Sequence, residues 1–163
     1  MIVIALGANL PSRAGSPRDT LNATLGELAA HGVRIADISS YYVTKAWPDP
    51  SDPPFVNAVA RVETELLPRE LMTLLHGIEE SFGRRREKKN APRTLDIDLI
   101  DYNSRVEPGP PQLPHPRLAD RAFVLVPLAE IAPDWRHPAT SRAISDLLAA
   151  FPREELTIQK LAT

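Results

Sequence analysis

The sequence predicts one α+β domain, and three observations support that prediction. Its 163 residues are 43% hydrophobic, which is enough for one globular domain with a buried core. Short runs of alternating or β-branched residues are interleaved with two stretches that show helical apolar spacing. No internal repeat and no linker divides the chain, so we expect a single domain over residues 1–163.

The first half of the chain predicts three strands and one helix. Ile2–Leu6 is an apolar run typical of a buried strand, and Gly7 closes it. Pro17–Ala30 has leucines at helical spacing and predicts the first helix. Val33–Val43 is rich in β-branched and aromatic residues and Phe55–Glu65 alternates, so each predicts a strand.

The second half of the chain completes the predicted core and extends it. Pro68–Phe82 predicts a helix because its apolar residues form one stripe and a proline occupies its first turn. Thr94–Tyr102 predicts a strand, which gives the order β-α-β-β-α-β, the ferredoxin-like arrangement. After a proline-rich loop, the sequence predicts helices near Val124–Ile131 and Ile144–Ala150 and a last strand near Leu156–Leu161. We therefore expect a ferredoxin-like core with a C-terminal helical extension.

Composition argues against several classes of function. The 19 basic and 21 acidic side chains give a net charge of −2, which disfavours a general nucleic-acid binder. The absence of cysteine rules out disulfides, thiolate metal sites and a cysteine nucleophile. The apolar start has no basic leader, and no run approaches the ~20 apolar residues of a membrane span. We expect a soluble, cytoplasmic protein.

The strand predicted over Thr94–Tyr102 carries two carboxylates. Successive side chains of a strand point to opposite faces, so Asp96 and Asp98 share one face and lie about 7 Å apart. Such a pair can hold hard divalent cations, and Arg93 with the basic run upstream of it can grip an anion that those metals carry. A solvated acidic face is the commoner cause of this alternation, so the pattern alone does not decide between the two.

Side chains must bind any nucleotide phosphate, because the sequence has neither a P-loop nor a G-x-G-x-x-G motif. The planar fork of arginine matches phosphate oxygens. The candidates are Arg84, Arg86 and Arg93 around the basic loop, and His115 and Arg121 after it. On the second predicted helix, His76 and Glu79 lie three residues apart and share a face near that loop.

A second set of residues is suited to a flat heterocycle. Trp47 lies in a polar, proline-rich loop, which is an unusual place for an indole. Phe55 and Asn57 share one face of a predicted strand, with Thr44 close by in sequence and Phe123 further along. A ring stacked between aromatics, with its edge bonded to Asn57, would use this set, although aromatics more often belong to a core.

Residues 89–100 combine these features in one signature: a basic residue, any residue, a small residue, Pro-Arg, two residues, then Asp-hydrophobic-Asp. It is formed by Lys89-Asn90-Ala91-Pro92-Arg93-Thr94-Leu95-Asp96-Ile97-Asp98-Leu99-Ile100. Further matching segments are Ile4–Leu10, Ser39–Tyr42, Phe55–Ala58, Pro114–Pro116 and Arg121–Leu128. Together these segments resemble the hydroxymethyldihydropterin pyrophosphokinases of folate biosynthesis, and the resemblance covers nearly the whole chain.

The resemblance implies a monomeric enzyme with a ferredoxin-like fold. Such an enzyme transfers pyrophosphate from ATP to the hydroxymethyl group of 6-hydroxymethyl-7,8-dihydropterin and releases AMP. By position, two Mg²⁺ ions would be bound by Asp96 and Asp98. The ATP side would be lined by His76, Glu79, Arg84, Arg86, Arg93, Leu99, His115 and Arg121. The pterin side would be lined by Thr44, Lys45, Trp47, Phe55, Asn57 and Phe123, with the ring between Trp47 and Phe123.

The chemistry needs charge stabilisation more than a strong base. Our hypothesis is that Arg86 and Arg93 stabilise the transferring group while Asp98 helps to receive the hydroxyl proton. Three positions depart from the best-known family pattern. Asn90 stands where Trp is common, Lys45 where Pro is familiar, and Pro110 where an arginine that contacts ATP can occur.

Two other classes of function stay open at the level of sequence. A ferredoxin-like nucleic-acid-binding module could use the basic run Arg84–Lys89, but Thr94–Ile100 offers no aromatic residue on which a base could stack. A regulatory domain that binds ATP and pterin without turnover would carry the same residues as the enzyme.

Overall fold

The computed structural model describes residues 1–85 and 88–162 of the chain. A 3₁₀ turn, Leu118–Asp120, precedes the third α-helix. In chain order the elements are β1 (Ile2–Ala8), α1 (Pro17–Ala30), β2 (Arg34–Ile38), β3 (Tyr42–Thr44), β4 (Phe55–Glu63), α2 (Pro68–Ser81), β5 (Asp96–Tyr102), α3 (Ala122–Ile131), α4 (Ile144–Ala149), α5 (Arg153–Leu156) and β6 (Gln159–Lys160).

The strands form one antiparallel sheet in the order β5-β1-β4-β3-β6, with β2 paired to β4 as well. β2 and β3 pair with opposite ends of β4, so the two together occupy the place of one strand. With that pair counted once, the order of the core strands is the ferredoxin-like one. The predicted α+β fold class is therefore confirmed.

The single strand predicted over Val33–Val43 is wrong, because the structure divides it into β2 and β3. Ser39 lies at the break, where its amide donates to the carbonyl of Val59 at 2.9 Å. The Val59 amide in turn donates to the Ser39 hydroxyl at 3.0 Å instead of to a main-chain carbonyl. This side-chain bond replaces one link of the strand ladder and interrupts the strand.

The C-terminal end also differs from its prediction. The strand predicted near Leu156–Leu161 is shorter, since β6 comprises only Gln159–Lys160. The short helix α5, which the sequence pattern did not predict, precedes it. Pro152 comes directly before α5, and Glu154 lies in its first turn, where an acidic side chain favours a helix start.

The sheet separates two apolar cores. Helices α1 and α2 pack on one face, where Leu71 and Ile97 are buried. Residues of α3 and α4 pack on the other face, where Val59, Ile100 and Leu125 are buried. None of the helices in the described parts of the chain has the length and apolar content needed to cross a lipid bilayer.

A buried hydrogen bond joins the C-terminal extension to β5. The pairing of β5 with β1 shifts by one residue before Asp101, and the carboxylate of Asp101 is only 1% exposed. The indole Nε1 of Trp135 donates to Asp101 Oδ2 at 2.9 Å, and the Ser104 amide donates to its other oxygen. The extension is therefore tied to the strand that carries Asp96 and Asp98.

Replacing Trp135 by Phe removes a donor from this buried carboxylate. We expect the free energy of unfolding to fall by about 2 kcal/mol, because a buried acceptor left short of a hydrogen bond costs roughly 1–3 kcal/mol. Urea denaturation measures the difference. Trp47→Phe is the matched control: this indole is 67% exposed, and we expect a change below about 0.5 kcal/mol. Equal losses in the two variants would contradict the prediction.

Candidate active site

A cavity of about 910 Å³ lies over β1, β4 and β5. Strand residues form its floor, and its walls come from four other segments of the chain. Those segments are the loop after β3, the loop before β5, the stretch around the start of α3, and the C-terminal residues. All six predicted pterin-side residues line it, namely Thr44, Lys45, Trp47, Phe55, Asn57 and Phe123. Arg93, Asp96, Asp98 and Arg121 line it as well, so one cavity holds both predicted sets.

The pairing of β1 with both of its neighbours brings the two sets together. Gly7 pairs with Asp96 on one side and with Asn57 on the other. Asp96 and Asn57 therefore stand two strands apart, about 10 Å across the sheet. A Cβ atom added at Gly7 would lie 3.0 Å from Asn57 Oδ1, a tighter approach than most real Cβ contacts. A residue without a side chain at this position keeps the cavity floor open.

Basic side chains surround both carboxylates. Asp96 accepts hydrogen bonds from Arg84 Nη1 at 2.7 Å and from Arg93 Nη1 at 2.9 Å. Asp98 accepts one from Arg121 Nη1 at 2.6 Å. The side chains of Asp96 and Asp98 are 26% and 28% exposed, so both are open to the cavity. The structure thus brings both aspartates of β5 together with three arginines from other segments of the chain.

His115 adds an imidazole beside Asp98. Its Nε2 lies 3.9 Å from Asp98 Oδ1. Burial lowers the pKa of His115 below its usual value, although the Asp98 carboxylate opposes this shift. The Arg117 amide donates to His115 Nδ1 at 3.1 Å, so the neutral ring carries its proton on Nε2, the nitrogen nearer to Asp98.

Helix α2 is connected to the site by Arg84. Glu79 is buried, and its carboxylate forms an ion pair with Arg84, which in turn binds Asp96. His76 lies one turn earlier on α2 and is half-buried. Of the described residues that line the cavity, none belongs to α2. Glu79 is thus connected to the predicted nucleotide side through the Arg84 guanidinium.

Arg86 and Leu99 were also predicted on the nucleotide side. Arg86 lies outside the described residues. The side chain of Leu99 is 3% exposed and packs in the core between the sheet and helices α1 and α2. The Leu99 side chain is therefore turned away from the cavity, and the predicted contact of Leu99 with ATP stays a prediction that only its main chain could fulfil. Leu99 shares this buried face of β5 with Ile97.

Asn9 is a structural residue of the site that the sequence reasoning missed. It is 2% exposed, and its Oδ1 accepts from the Arg93 amide at 2.8 Å while its own amide donates to the Arg93 carbonyl at 3.1 Å. Its Nδ2 donates to the Pro53 carbonyl at 3.0 Å. One buried amide thereby fixes both the loop before β5 and the loop before β4. The available sequence signal was an Asn that directly follows an apolar strand and its closing glycine.

The predicted pterin side is assembled, but its rings are apart. Asn57 Nδ2 donates to Thr44 Oγ1 at 2.8 Å, which orients the amide. Trp47 is 67% exposed and Phe123 is 38% exposed. Among the described residues, the rings that pack in pairs do not include Trp47 with Phe123. Instead, the Arg121 guanidinium lies 5.7 Å from the centre of the Phe123 ring.

The donor set on β5 fits Mg²⁺. The described residues contain no cluster of three or more His, Asp or Glu side chains placed to hold a metal ion. Mg²⁺ does not require one, because it commonly takes one or two carboxylates and completes its shell with water and substrate phosphates. Asp96 and Asp98 supply such hard oxygen donors, and their arginine partners are groups that a bound phosphate would also attract.

Comparison with known proteins shows the family of the chain. Residues 3–133 match the family model for 7,8-dihydro-6-hydroxymethylpterin-pyrophosphokinase (HPPK). A 2-amino-4-hydroxy-6-hydroxymethyldihydropteridine pyrophosphokinase of Synechocystis sp. is 41% identical over 148 residues, covering 90% of this chain and 73% of the relative. The protein of the same name from Pseudomonas aeruginosa is 37% identical over 155 residues, covering 94% and 93% of the two chains.

The fold is similar to that of a solved structure. A crystal structure of Plasmodium falciparum HPPK-DHPS with pterin and p-hydroxybenzoate matches with a TM-score of 0.71 and 14% sequence identity, a likeness that shows the fold alone. It covers 91% of this chain and 43% of that one, so this chain spans less than half of the solved protein. The family match covers residues 3–133, a range that includes Asp96 and Asp98. This chain belongs to the 7,8-dihydro-6-hydroxymethylpterin-pyrophosphokinase family.

Proposed function

We propose that this protein transfers pyrophosphate from ATP to the hydroxymethyl group of 6-hydroxymethyl-7,8-dihydropterin, releasing AMP, as a step of folate biosynthesis. The observation that carries the proposal is that one cavity unites two chemically distinct halves. Arginine-bound Asp96 and Asp98 form the half suited to a metal-bound triphosphate. Asn57 and the exposed aromatics form the half suited to a flat heterocycle.

The nucleotide half supplies positive charge for the triphosphate. Arg93 and Arg121 present planar guanidinium groups to the cavity, and this geometry matches phosphate oxygens. Arg84 is held between Glu79 and Asp96 and adds a third guanidinium. Two Mg²⁺ ions bound at Asp96 and Asp98 would neutralise charge on the phosphate oxygens and orient the β-phosphoryl group.

The pterin half supplies a directed amide and apolar surface. The bond from Asn57 Nδ2 to Thr44 Oγ1 fixes which end of the amide is a donor and which is an acceptor. Asn57 Oδ1 therefore lies over Gly7 at the cavity floor, where it can accept a hydrogen bond from an amino group of the pterin. Phe55 and Phe123 offer faces for the ring.

The transfer itself follows from these positions. The hydroxymethyl oxygen attacks the β-phosphorus of ATP, the bond from that phosphorus to the oxygen bridging to the α-phosphate breaks, and AMP leaves. Negative charge that develops on the phosphoryl oxygens is stabilised by Arg93, with Arg86 proposed for the same role. The hydroxyl proton passes to the carboxylate of Asp98, which needs no strong basicity because positioning and electrostatics carry most of the catalysis.

Product analysis tests the proposed function directly. The protein is incubated with ATP, Mg²⁺ and 6-hydroxymethyl-7,8-dihydropterin, and AMP is resolved from ADP. We expect AMP whose formation depends on both the pterin and Mg²⁺. ADP would instead indicate an ordinary kinase, and binding of both ligands without turnover would indicate a regulatory domain. Either of those results overturns the proposal.

The domain organisation, the oligomeric state and the cellular location of the protein are part of the same proposal. We propose that residues 1–163 act as a single monomeric domain, which size-exclusion chromatography with light scattering tests. A cytoplasmic location stays a prediction and is consistent with a sequence that contains no cysteine. Fractionation of cells that express the protein at its native level tests the location.

Trp47→Ala is expected to weaken pterin binding about 3- to 10-fold and to leave ATP binding largely unchanged. The indole is 67% exposed in the loop after β3, and stacking on a flat ring contributes roughly 0.5–1.5 kcal/mol beyond burial. Calorimetric titrations with the pterin and with a non-hydrolysable ATP analogue measure the two affinities. Trp47→Phe, which keeps a ring, is the matched variant and should retain most of the affinity. An unchanged pterin affinity in Trp47→Ala would remove Trp47 from the site.

A further inference from the structure

The last described residues of the chain form one wall of the cavity. We call residues 153–160 the C-terminal strap; it comprises α5, the turn after it and β6. The strap residues that line the cavity, beside Val43 and Thr44 of β3, are Glu154, Glu155, Thr157, Ile158 and Gln159. The family model matches residues 3–133, so this wall lies outside the matched part of the chain.

Main-chain pairing fixes the strap against the pterin half. β6 pairs with β3, with Gln159 opposite Val43 and Lys160 opposite Tyr42. The Leu161 amide donates to the carbonyl of Tyr41 at 2.8 Å. β3 ends at Thr44, which holds the Asn57 amide, so β6 covers the free edge of the strand that orients a proposed pterin ligand.

Side chains add anchors at the far end of the strap. Lys160 Nζ lies 3.4 Å from Glu130 Oε1 on α3. The same carboxylate accepts hydrogen bonds from the Ser40 hydroxyl and the Tyr42 hydroxyl, both at 2.7 Å. Just beyond the strap, Arg18 Nη1 donates to the carbonyl of Ala162 at 3.1 Å. The segment is therefore bound to the sheet, to α3 and to α1.

Ile158 is the apolar side chain of the strap that faces the cavity. It is half-buried, and it directly precedes the β6 residue that pairs with Val43. Leu156, two residues earlier, is also half-buried but does not line the cavity. An apolar group at the wall of a binding cavity favours the binding of a heterocycle, because the contact between them removes apolar surface from water.

We propose that Ile158 covers the bound pterin and that the C-terminal strap is a substrate-binding wall of this protein. The proposal rests on the proposed function, since it names a further residue for the same substrate. Ile158 acts on pterin affinity alone, because the arginines and carboxylates of the nucleotide half belong to other segments of the chain.

A comparison of Ile158→Ala with Leu156→Ala in the full-length chain tests the proposal. Ile158→Ala should raise Kd and KM for the pterin roughly 3- to 10-fold, as expected for a partly buried aliphatic contact. We expect KM for ATP and kcat at saturating pterin to stay within about twofold, because the phosphate-binding groups are unchanged. Ile158→Val should restore most of the pterin affinity. Leu156→Ala should leave all of these quantities near those of the unmodified chain.

Two results would overturn the proposal. One is an unchanged pterin Kd in Ile158→Ala. The other is an equal loss of pterin and ATP affinity in Ile158→Ala and Leu156→Ala, which would indicate a purely structural strap. Thermal melting establishes that each variant is folded, and Ile158→Val carries the test if Ile158→Ala is not. Failure of the proposed function is distinguishable, because it removes AMP formation from the unmodified chain, whereas calorimetry still reports whether Ile158 contacts the pterin.

Discussion

Replacing Asp98 by Asn is expected to lower kcat for AMP formation by about 10³-fold or more. The variant keeps the shape of the side chain and removes its charge. It thereby removes the negative charge that pairs with Arg121, and with it a proposed Mg²⁺ ligand and the proposed acceptor of the hydroxyl proton. Steady-state rates over a series of Mg²⁺ concentrations, with both substrates saturating, measure the effect.

Asp96→Asn is the matched control that separates metal binding from proton transfer. Both aspartates are proposed metal ligands, but only Asp98 is proposed to receive a proton. We expect excess Mg²⁺ to restore part of the rate of Asp96→Asn and little of the rate of Asp98→Asn. If the two variants recover alike, or if Asp98→Asn loses Mg²⁺ affinity in proportion to its rate, Asp98 has no separate proton role.

Neither substitution should unfold the protein. The two carboxylate side chains are 26% and 28% exposed, so water screens their ion pairs with Arg93 and Arg121. Such pairs contribute about 1 kcal/mol or less. A small change in melting temperature together with a large loss of rate would therefore assign the effect to the chemistry, and a collapse of the melting transition would contradict this view.

The parts of the fold that could be predicted from sequence are those encoded by local interactions. The predicted bounds of α1 match the structure, because its start is marked within four residues: the Ser16 hydroxyl caps the Asp19 amide, Asp19 returns a bond to Ser16, and Pro17 opens the helix. The alternation in β5 likewise gave the correct faces, with Ile97 buried and Asp96 open to the cavity.

Features that depend on distant partners could not be predicted in this way. The break between β2 and β3 depends on Ser39 bonding to Val59, 20 residues away. The sequence predicted a last strand near Leu156–Leu161 but not its partner, because β6 pairs with β3, which is far away in the chain. The order of strands fixes which residues of β1 stand between the two halves of the site, and Gly7 takes that position only once the register is known.

Leu99 shows that a residue on the buried face of a strand can still belong to a predicted site through its main chain. The resemblance placed Leu99 on the nucleotide side, whereas its spacing from Leu95 and Ile97 placed it on the buried face of β5. The structure agrees with the spacing, since all three side chains are at most 3% exposed. A contact of Leu99 with the nucleotide would therefore be made by its main chain.

Arg93→Ala is expected to lower kcat about 10²- to 10³-fold, the usual loss when one group that stabilises developing charge is removed. The Arg93 guanidinium is held at Asp96 by a 2.9 Å bond and at the Ala91 carbonyl by a 3.2 Å bond, so it is fixed at the cavity before the substrates bind. Arg93→Lys keeps the charge but loses the planar fork, and we expect an intermediate rate. Rapid-quench measurement of AMP formation in a single turnover separates this step from product release.

Arg85→Ala is the matched control, because Arg85 belongs to the basic run upstream of Arg93, is exposed and does not line the cavity. The kcat of this variant should stay within about twofold of that of the unmodified chain. The main chain of Arg93 is anchored by Asn9, so truncating the side chain should leave the loop in place and the melting temperature nearly unchanged. Added guanidinium ion should then restore part of the activity of Arg93→Ala. If Arg93→Ala raises KM for ATP while kcat is unchanged, the residue binds the nucleotide equally in the ground state and the transition state, and the charge-stabilising role is wrong.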